Sequence, residues 1–216
     1  GYAKENMYMR TKKGKGILLC TGVAILGAVA MLEGNGIAKQ MVLTQVYAAT
    51  TNTYEDFEYE VNTNENNKEV TITKYTGNDA SVTVPDTIDG LLVTRIGERA
   101  FNSNGQIVSV QIGKNVKSIG RYAFSSSGNL KTVQLSNAVT ILERGAFSDC
   151  KNLKEIIWGD GLETLENDVF ANCANLTTLT IPESVITVGE SAFYGCSNLI
   201  EAVSYTHLRA HETKAN

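Results

Sequence analysis

"VTILERGAFSDCKNLKEIIW", residues 139–158, holds nearly one full copy of the pattern that decides the fold. Leu153, Ile156 and Trp158 show one irregular gap and then strict alternation. That spacing reads as a turn leading into a short strand whose apolar side chains share one face. Val139 and Leu142 make a second apolar pair, expected on the opposite wall. Between the two, "ERGAF" is too short to be an independent helix and is expected to form a single helical turn. Phe147 then enters the core, and Ala146 is small because the turn packs closely.

The same pattern returns every 23 residues. A small residue followed by phenylalanine recurs as Ala100-Phe101, Ala123-Phe124, Ala146-Phe147, Val169-Phe170 and Ala192-Phe193. Apolar columns move with it: Val93, Val116, Val139, Leu162 and Val185 upstream, then Ile96, Ile119, Leu142, Leu165 and Val188. Downstream lie Ile107, Leu130, Leu153, Leu176 and Leu199, followed by Val110, Val133, Ile156 and Leu179, and by Ile112, Leu135, Trp158 and Ile181. A fixed period of this length marks a solenoid. No single unit can bury its apolar residues alone, so each needs a neighbour on either side.

The motifs "VTRIGERAF", "VKSIGRYAF", "VTILERGAF", "LETLENDVF" and "VITVGESAF", each followed by a "NLxxV"-like strand, resemble the BspA-like (Treponema-type) leucine-rich repeat family. The resemblance covers about residues 54–202. It departs mildly where the Gly of "IG" becomes Glu143 and Glu166, and where Gln106-Ile107 replaces Asn-Leu. The expected fold is an α/β solenoid, β-rich with short helical turns and capped by an N-terminal β-hairpin. The resemblance implies a secreted or surface-displayed bacterial protein with a non-catalytic binding or adhesion role.

Upstream of the regular units, Phe57, Tyr59 and Val61 alternate, "NTNENNK" turns, and Val70 and Ile72 continue, which reads as a hairpin. Val82, Val84 and Pro85 match Leu179, Ile181 and Pro182, so the array begins with a half-unit and the hairpin caps it. "IDG", residues 88–90, is a small turn insertion. The chain therefore divides into 49–92, cap and half-repeat, and 93–202, the repeats. Residues 9–48 read as a signal peptide: Arg10, Lys12, Lys13 and Lys15, then an apolar run over 17–32, then Val46-Tyr47-Ala48 as the cleavage site. An uncleaved anchor is the alternative, although the run falls short of the ~20 residues a span prefers. Residues 1–8 are expected to be untranslated leader, because Lys4-Glu5 can encode a ribosome-binding sequence before Met9. Residues 203–216 are expected to derive from a sequencing adapter, which Val203 to Thr213 translates, and to make no regular repeat contact.

The whole chain carries a formal charge of −4. Residues 49–202 hold 11 Lys and Arg against 20 Asp and Glu, a net −9. An acidic surface argues against nucleic acid, and for the mature repeats against anionic lipid. Both histidines, His207 and His211, lie in the tail. No Gly-rich phosphate loop, Ser/His/Asp arrangement or zinc spacing occurs, so neither catalysis, a metal nor a cofactor is expected. Cys150, Cys173 and Cys196 share one column and are expected as buried free thiols. Asn129, Asn152, Asn175 and Asn198 share another, and are expected to satisfy backbone groups in the turn before each strand. What remains is surface. Ser109, Gln111, Thr132, Gln134, Glu155, Ile157, Thr178 and Thr180 are expected to point outward from one sheet, as a candidate face for a protein or glycan on a monomeric chain. The alternative is an accessory or spacer domain of a larger secreted enzyme.

Overall fold

The computed structural model describes residues 52–63 and 67–204, within one compact unit that begins at Asn52. The expected leader, the expected signal peptide and residues 205–216 lie outside the described residues. The described residues open with an antiparallel meander of β1 (Asn52–Tyr54), β2 (Phe57–Thr63) and β3 (Lys68–Tyr75). The half-unit adds β4 (Ser81–Thr83). A tight hairpin follows, β5 (Thr87–Ile88) against β6 (Leu91–Ile96), where Asp89 and Gly90 both take positive φ. That turn matches the right-handed twist of the strands it joins. Tyr59 Oη donates to Asp89 Oδ2 at 2.7 Å and ties this hairpin to the cap.

Longer and two-residue strands then alternate. They are β7 (Ser109–Gln111), β8 (Ser118–Ile119), β9 (Thr132–Gln134), β10 (Ile141–Leu142), β11 (Glu155–Ile157), β12 (Thr164–Leu165), β13 (Thr178–Ile181), β14 (Thr187–Val188) and β15 (Glu201–Ser204). The first sheet runs β4-β7-β9-β11 in parallel, and β13 and β15 form a separate parallel pair. The second runs β1-β2-β3-β6-β8-β10-β12-β14, with β5 on β6. The hairpin therefore continues the second sheet, since β3 pairs in parallel with β6. Register advances one unit per step, as in Ser118↔Ile141↔Thr164↔Thr187. The result is a β-solenoid of about five turns.

The apolar columns fill the space between the sheets. Val93, Val116, Val139, Leu162, Ile107, Leu130, Leu153 and Leu176 are fully buried. Each such side chain contributes about 1.5–3 kcal/mol before entropy is subtracted. Phe101, Phe124, Phe147, Phe170 and Phe193 stack through the centre at 4.6, 5.1, 5.6 and 5.7 Å between ring centroids. Tyr75 of the cap extends this column, 5.3 Å from Phe101. Ile156 and Trp158 are only partly buried, and Trp158 meets Phe170 edge-on at 5.9 Å.

The short helical turns are not found. Among the described residues there is no helix, so the fold is a β-solenoid and not α/β. The segment around each phenylalanine is a pair of linked turns. The residue two before Phe is left-handed in every unit, at Arg99, Tyr122, Gly145, Asp168 and Ser191. So is the residue two after it, at Ser103, Ser126, Asp149, Asn172 and Gly195. A left-handed residue ends a right-handed helical run, at about 1–2 kcal/mol for a residue with a Cβ. The hydrogen bonds offset this cost. Every second N–H turns inward to its own unit, as in Ala123 to the Gly120 carbonyl and Ser125 to that of Tyr122. The N–H groups between them donate to the next unit, as in Tyr122 to Arg144 O, Phe124 to Ala146 O and Ser126 to Ser148 O at 2.8–3.0 Å. A helical turn would keep all of these bonds local and leave the units unlinked here.

A second expectation fails at the other end. Residues 203 and 204 do make a regular repeat contact: β15 pairs with β13 through Leu179↔Ala202, Thr180↔Val203 and Ile181↔Ser204. A parallel ladder is made by the backbone, and apolar side chains are not required for it. The preceding turn, with Leu199 N–H on Cys196 O and Ile200 N–H on Thr177 O, delivers the strand in register.

Truncating Phe147 to Ala, in the middle of the ring column, is expected to cost about 3–5 kcal/mol in urea denaturation. Phe193, already partly exposed, should cost clearly less. Equal losses would contradict the stacked core. Gly145→Ala is expected to destabilise by about 1–2 kcal/mol, because φ is +62° there and a Cβ would overlap the Tyr122 ring. Pairing it with Tyr122→Ser should recover part of that loss.

Candidate functional site

The outward side of the first sheet carries two rows of side chains. Strand alternation turns Val110 and Val133 into the core and leaves their neighbours outside. One row is Ser81, Ser109, Thr132 and Glu155, and the other is Thr83, Gln111, Gln134 and Ile157. Ser109 and Thr132 are half-buried, while Gln111, Gln134, Glu155 and Thr180 are exposed. Ile157 is 43% exposed. Thr180 belongs to β13, which does not pair with β11, so the face is divided at that step. The Thr178 side chain lies outside the described residues. The structure also puts Ser81 and Thr83 on the face, and Ser109 Oγ donates to Ser81 Oγ at 3.0 Å. The match of Val82 and Val84 to the inward columns was the signal for these two.

Hydroxyl, amide and carboxylate groups on a sheet face can exchange hydrogen bonds with a partner surface, and Ile157 adds an apolar contact. Among the described residues no group of three or more His, Cys, Asp or Glu is placed to hold a metal. No helix among them is long and apolar enough to cross a membrane.

The cysteine and asparagine columns are structural. The three cysteines are free, and each thiol donates to a phenylalanine carbonyl of the previous unit: Cys150 to Phe124, Cys173 to Phe147 and Cys196 to Phe170, at 3.1–3.2 Å. Ser127 Oγ makes the same bond to Phe101 at 2.9 Å. Burial pushes the Cys150 thiol up to about 12, and raises Cys173 and Cys196 as well. Thiols held protonated are poor nucleophiles. In the asparagine column, Asn129 and Asn152 donate to the carbonyls of Gly105 and Gly128. Asn175 departs from this and donates to Asn152 Oδ1, while its backbone N–H donates to the Lys151 carbonyl.

Residues 72–200 match the family described as BspA type leucine rich repeat region, in six copies. No curated protein sequence matches the chain. Among solved structures, a leucine-rich repeat protein of T. pallidum is 28% identical, with a TM-score of 0.66 over 70% of each chain. A leucine-rich cell surface protein of Faecalibacterium prausnitzii is 31% identical, with a TM-score of 0.64 over 72% of this chain and 42% of its own. One from Bacteroides ovatus is 26% identical, at 0.57 over 71% and 40%. The chain thus spans less than half the length of the last two.

The raised thiol pKa values carry a sign. The unfolded chain releases these protons first, near the ordinary value of 9.0, so alkali favours unfolding. Stability is expected to hold below about pH 8.5 and to fall as pH rises toward the folded Cys150 value of about 12. Cys150→Ser keeps the carbonyl bond and should flatten that decline in urea melts across this range. A slope unchanged by Cys150→Ser would refute the assignment.

Proposed function

The chain belongs to the BspA-type leucine-rich repeat family, and on that premise we propose that it is a non-catalytic binding module acting outside the cell. In this reading it is secreted or displayed on the surface, and it uses the outward face of the first sheet to hold a protein or glycan. The naming of one structural neighbour as a cell surface protein supports the location. The observation that carries the function is the pair of exposed amide side chains Gln111 and Gln134 in one row with the exposed Ile157, beside the row of Ser81, Ser109, Thr132 and Glu155. A stack of parallel strands repeats such groups at about 4.7–4.9 Å, which gives a partner a regular set of contacts. The absence of any histidine between residues 52 and 204, and the protonated state of the buried thiols, support a role without catalysis.

The test is binding of the chain to immobilised glycans, collagen and fibronectin. Replacing Gln111 and Gln134 by Ala together with Ile157 by Ser should weaken any interaction found by about tenfold or more, the loss of one or two good contacts. Glu163→Gln, just before β12 of the second sheet, should leave it unchanged. An interaction indifferent to the triple variant, or no binding to any of these surfaces, would sink this reading.

A further inference from the structure

The described arginines are Arg95, Arg99, Arg121 and Arg144, and all belong to the second sheet and the turns beside it. Three have carboxylate partners. Arg95 pairs with Glu143 at 2.7 Å, Arg99 with Glu98 at 2.8 Å and Arg144 with Asp168 at 3.1 Å. Arg121 has no ion pair among the described residues. It occupies the same repeat column as Arg144, and the Tyr122 N–H donates to the Arg144 carbonyl, so the two arginines arise one unit apart. Like charges on neighbouring strands repel. Their column continues through Glu98 on one side and Asn167 and Glu190 on the other. Glu98 is taken up by Arg99, and the Glu190 N–H donates to Asn167 Oδ1.

Arg121 and Arg144 open onto a groove of about 360 Å³ whose walls include Thr164, Glu166, Asn167 and Thr187. That size lies within the ~300–1,000 Å³ range of small-ligand sites. We propose that this groove binds an acidic sugar, with the ligand's carboxylate on Arg121 and its hydroxyls toward Glu166 and the two threonines. Three features favour a sugar acid over a peptide or a simple anion. The groove carries both an acceptor and cations: Glu166, beside Arg144, spends Oε2 on the Arg144 backbone N–H at 2.8 Å and keeps Oε1 to accept from a hydroxyl. Asn167 spends Oδ1 on Glu190 and retains its amide hydrogens. Finally, the apolar residue lining the groove, Leu165, is fully buried, which leaves no exposed apolar side chain to anchor a peptide. A planar guanidinium matches a carboxylate in two-point geometry. The site is separate from the outward face of the first sheet, and the two proposals stand or fall independently.

The experiment is calorimetric titration of the full chain with a galacturonate disaccharide, its neutral galactose counterpart and a hexaglutamate peptide. The uronate should bind, and more weakly as salt is raised. Arg121→Gln should lower its affinity about tenfold, the effect of losing a charge-assisted hydrogen-bond pair. An unchanged thermal melt will show that this variant folds. Arg121→Lys should recover only part of the affinity, and the Gln111, Gln134 and Ile157 triple variant should bind as the unaltered chain does. The proposal is overturned by no uronate binding, by equal binding of the neutral sugar, by tighter binding of the peptide, or by indifference to Arg121→Gln.

Discussion

Five phenylalanine rings lie nearly parallel along the axis of the array, and their separation has to agree with the separation of the strands around them. Paired strands lie about 4.7–4.9 Å apart. The rings begin at 4.6 Å, between Phe101 and Phe124, and widen to 5.7 Å between Phe170 and Phe193. In the first sheet, the pairing stops between β11 and β13, within the wider part of the column. Trp158 stands at this step, in a position held elsewhere by Ile112, Leu135 and Ile181, and its indole is set edge-on against Phe170. A larger ring in a column of branched aliphatics takes more room, and Ile156 and Trp158 are only partly buried as a result.

The same stacking requirement explains the backbone around each ring. A phenylalanine in the centre of every unit needs its main chain held close to the units above and below. Left-handed residues two positions on either side turn every second N–H along the axis, where it reaches the next unit's carbonyl. The linked turns therefore act as a third ladder beside the two sheets. The phenylalanine carbonyls take a further donor from the following unit, a hydroxyl at Ser127 and thiols at Cys150, Cys173 and Cys196. Serine and cysteine share this column because both are small and both donate.

Function is left to what these ladders do not use. Inward columns pack and turn columns link, so only the outward rows and the corners are free to vary without disturbing the stack. On the first sheet that freedom is filled by Gln, Thr and Ser, with Ile157 among them. At the corner of the second it is filled by arginines and carboxylates, which largely satisfy one another and, among the described residues, leave Arg121 without an ion pair. An overall acidic domain with a local arginine pair is suited to selecting a ligand by short-range geometry, since long-range attraction of an anion is weak there.

Period and column identity alone determined the solenoid, the inward residues, the half-unit at Val82 and Val84, the capping hairpin and the outward rows. They could do so because each unit repeats one burial problem, and five solutions in one register leave little freedom. Three matters were decided only in three dimensions. Whether "ERGAF" closes as a helix or as linked turns depends on where its N–H groups find partners, and those partners lie 22 residues ahead in another unit. Strand β15 forms at Glu201–Ser204 although Ala202 and Ser204 break the apolar columns, because the backbone ladder of β13 supplies the pairing whatever the side chains. The period puts Arg121 and Arg144 in one column, but the groove beside them forms only in the folded array. The repeat puts Asp168 one unit ahead of Arg144 and Gly145 at the matching place for Arg121; only the folded array shows that the Asp168 carboxylate reaches Arg144 and that Arg121 has no ion pair among the described residues.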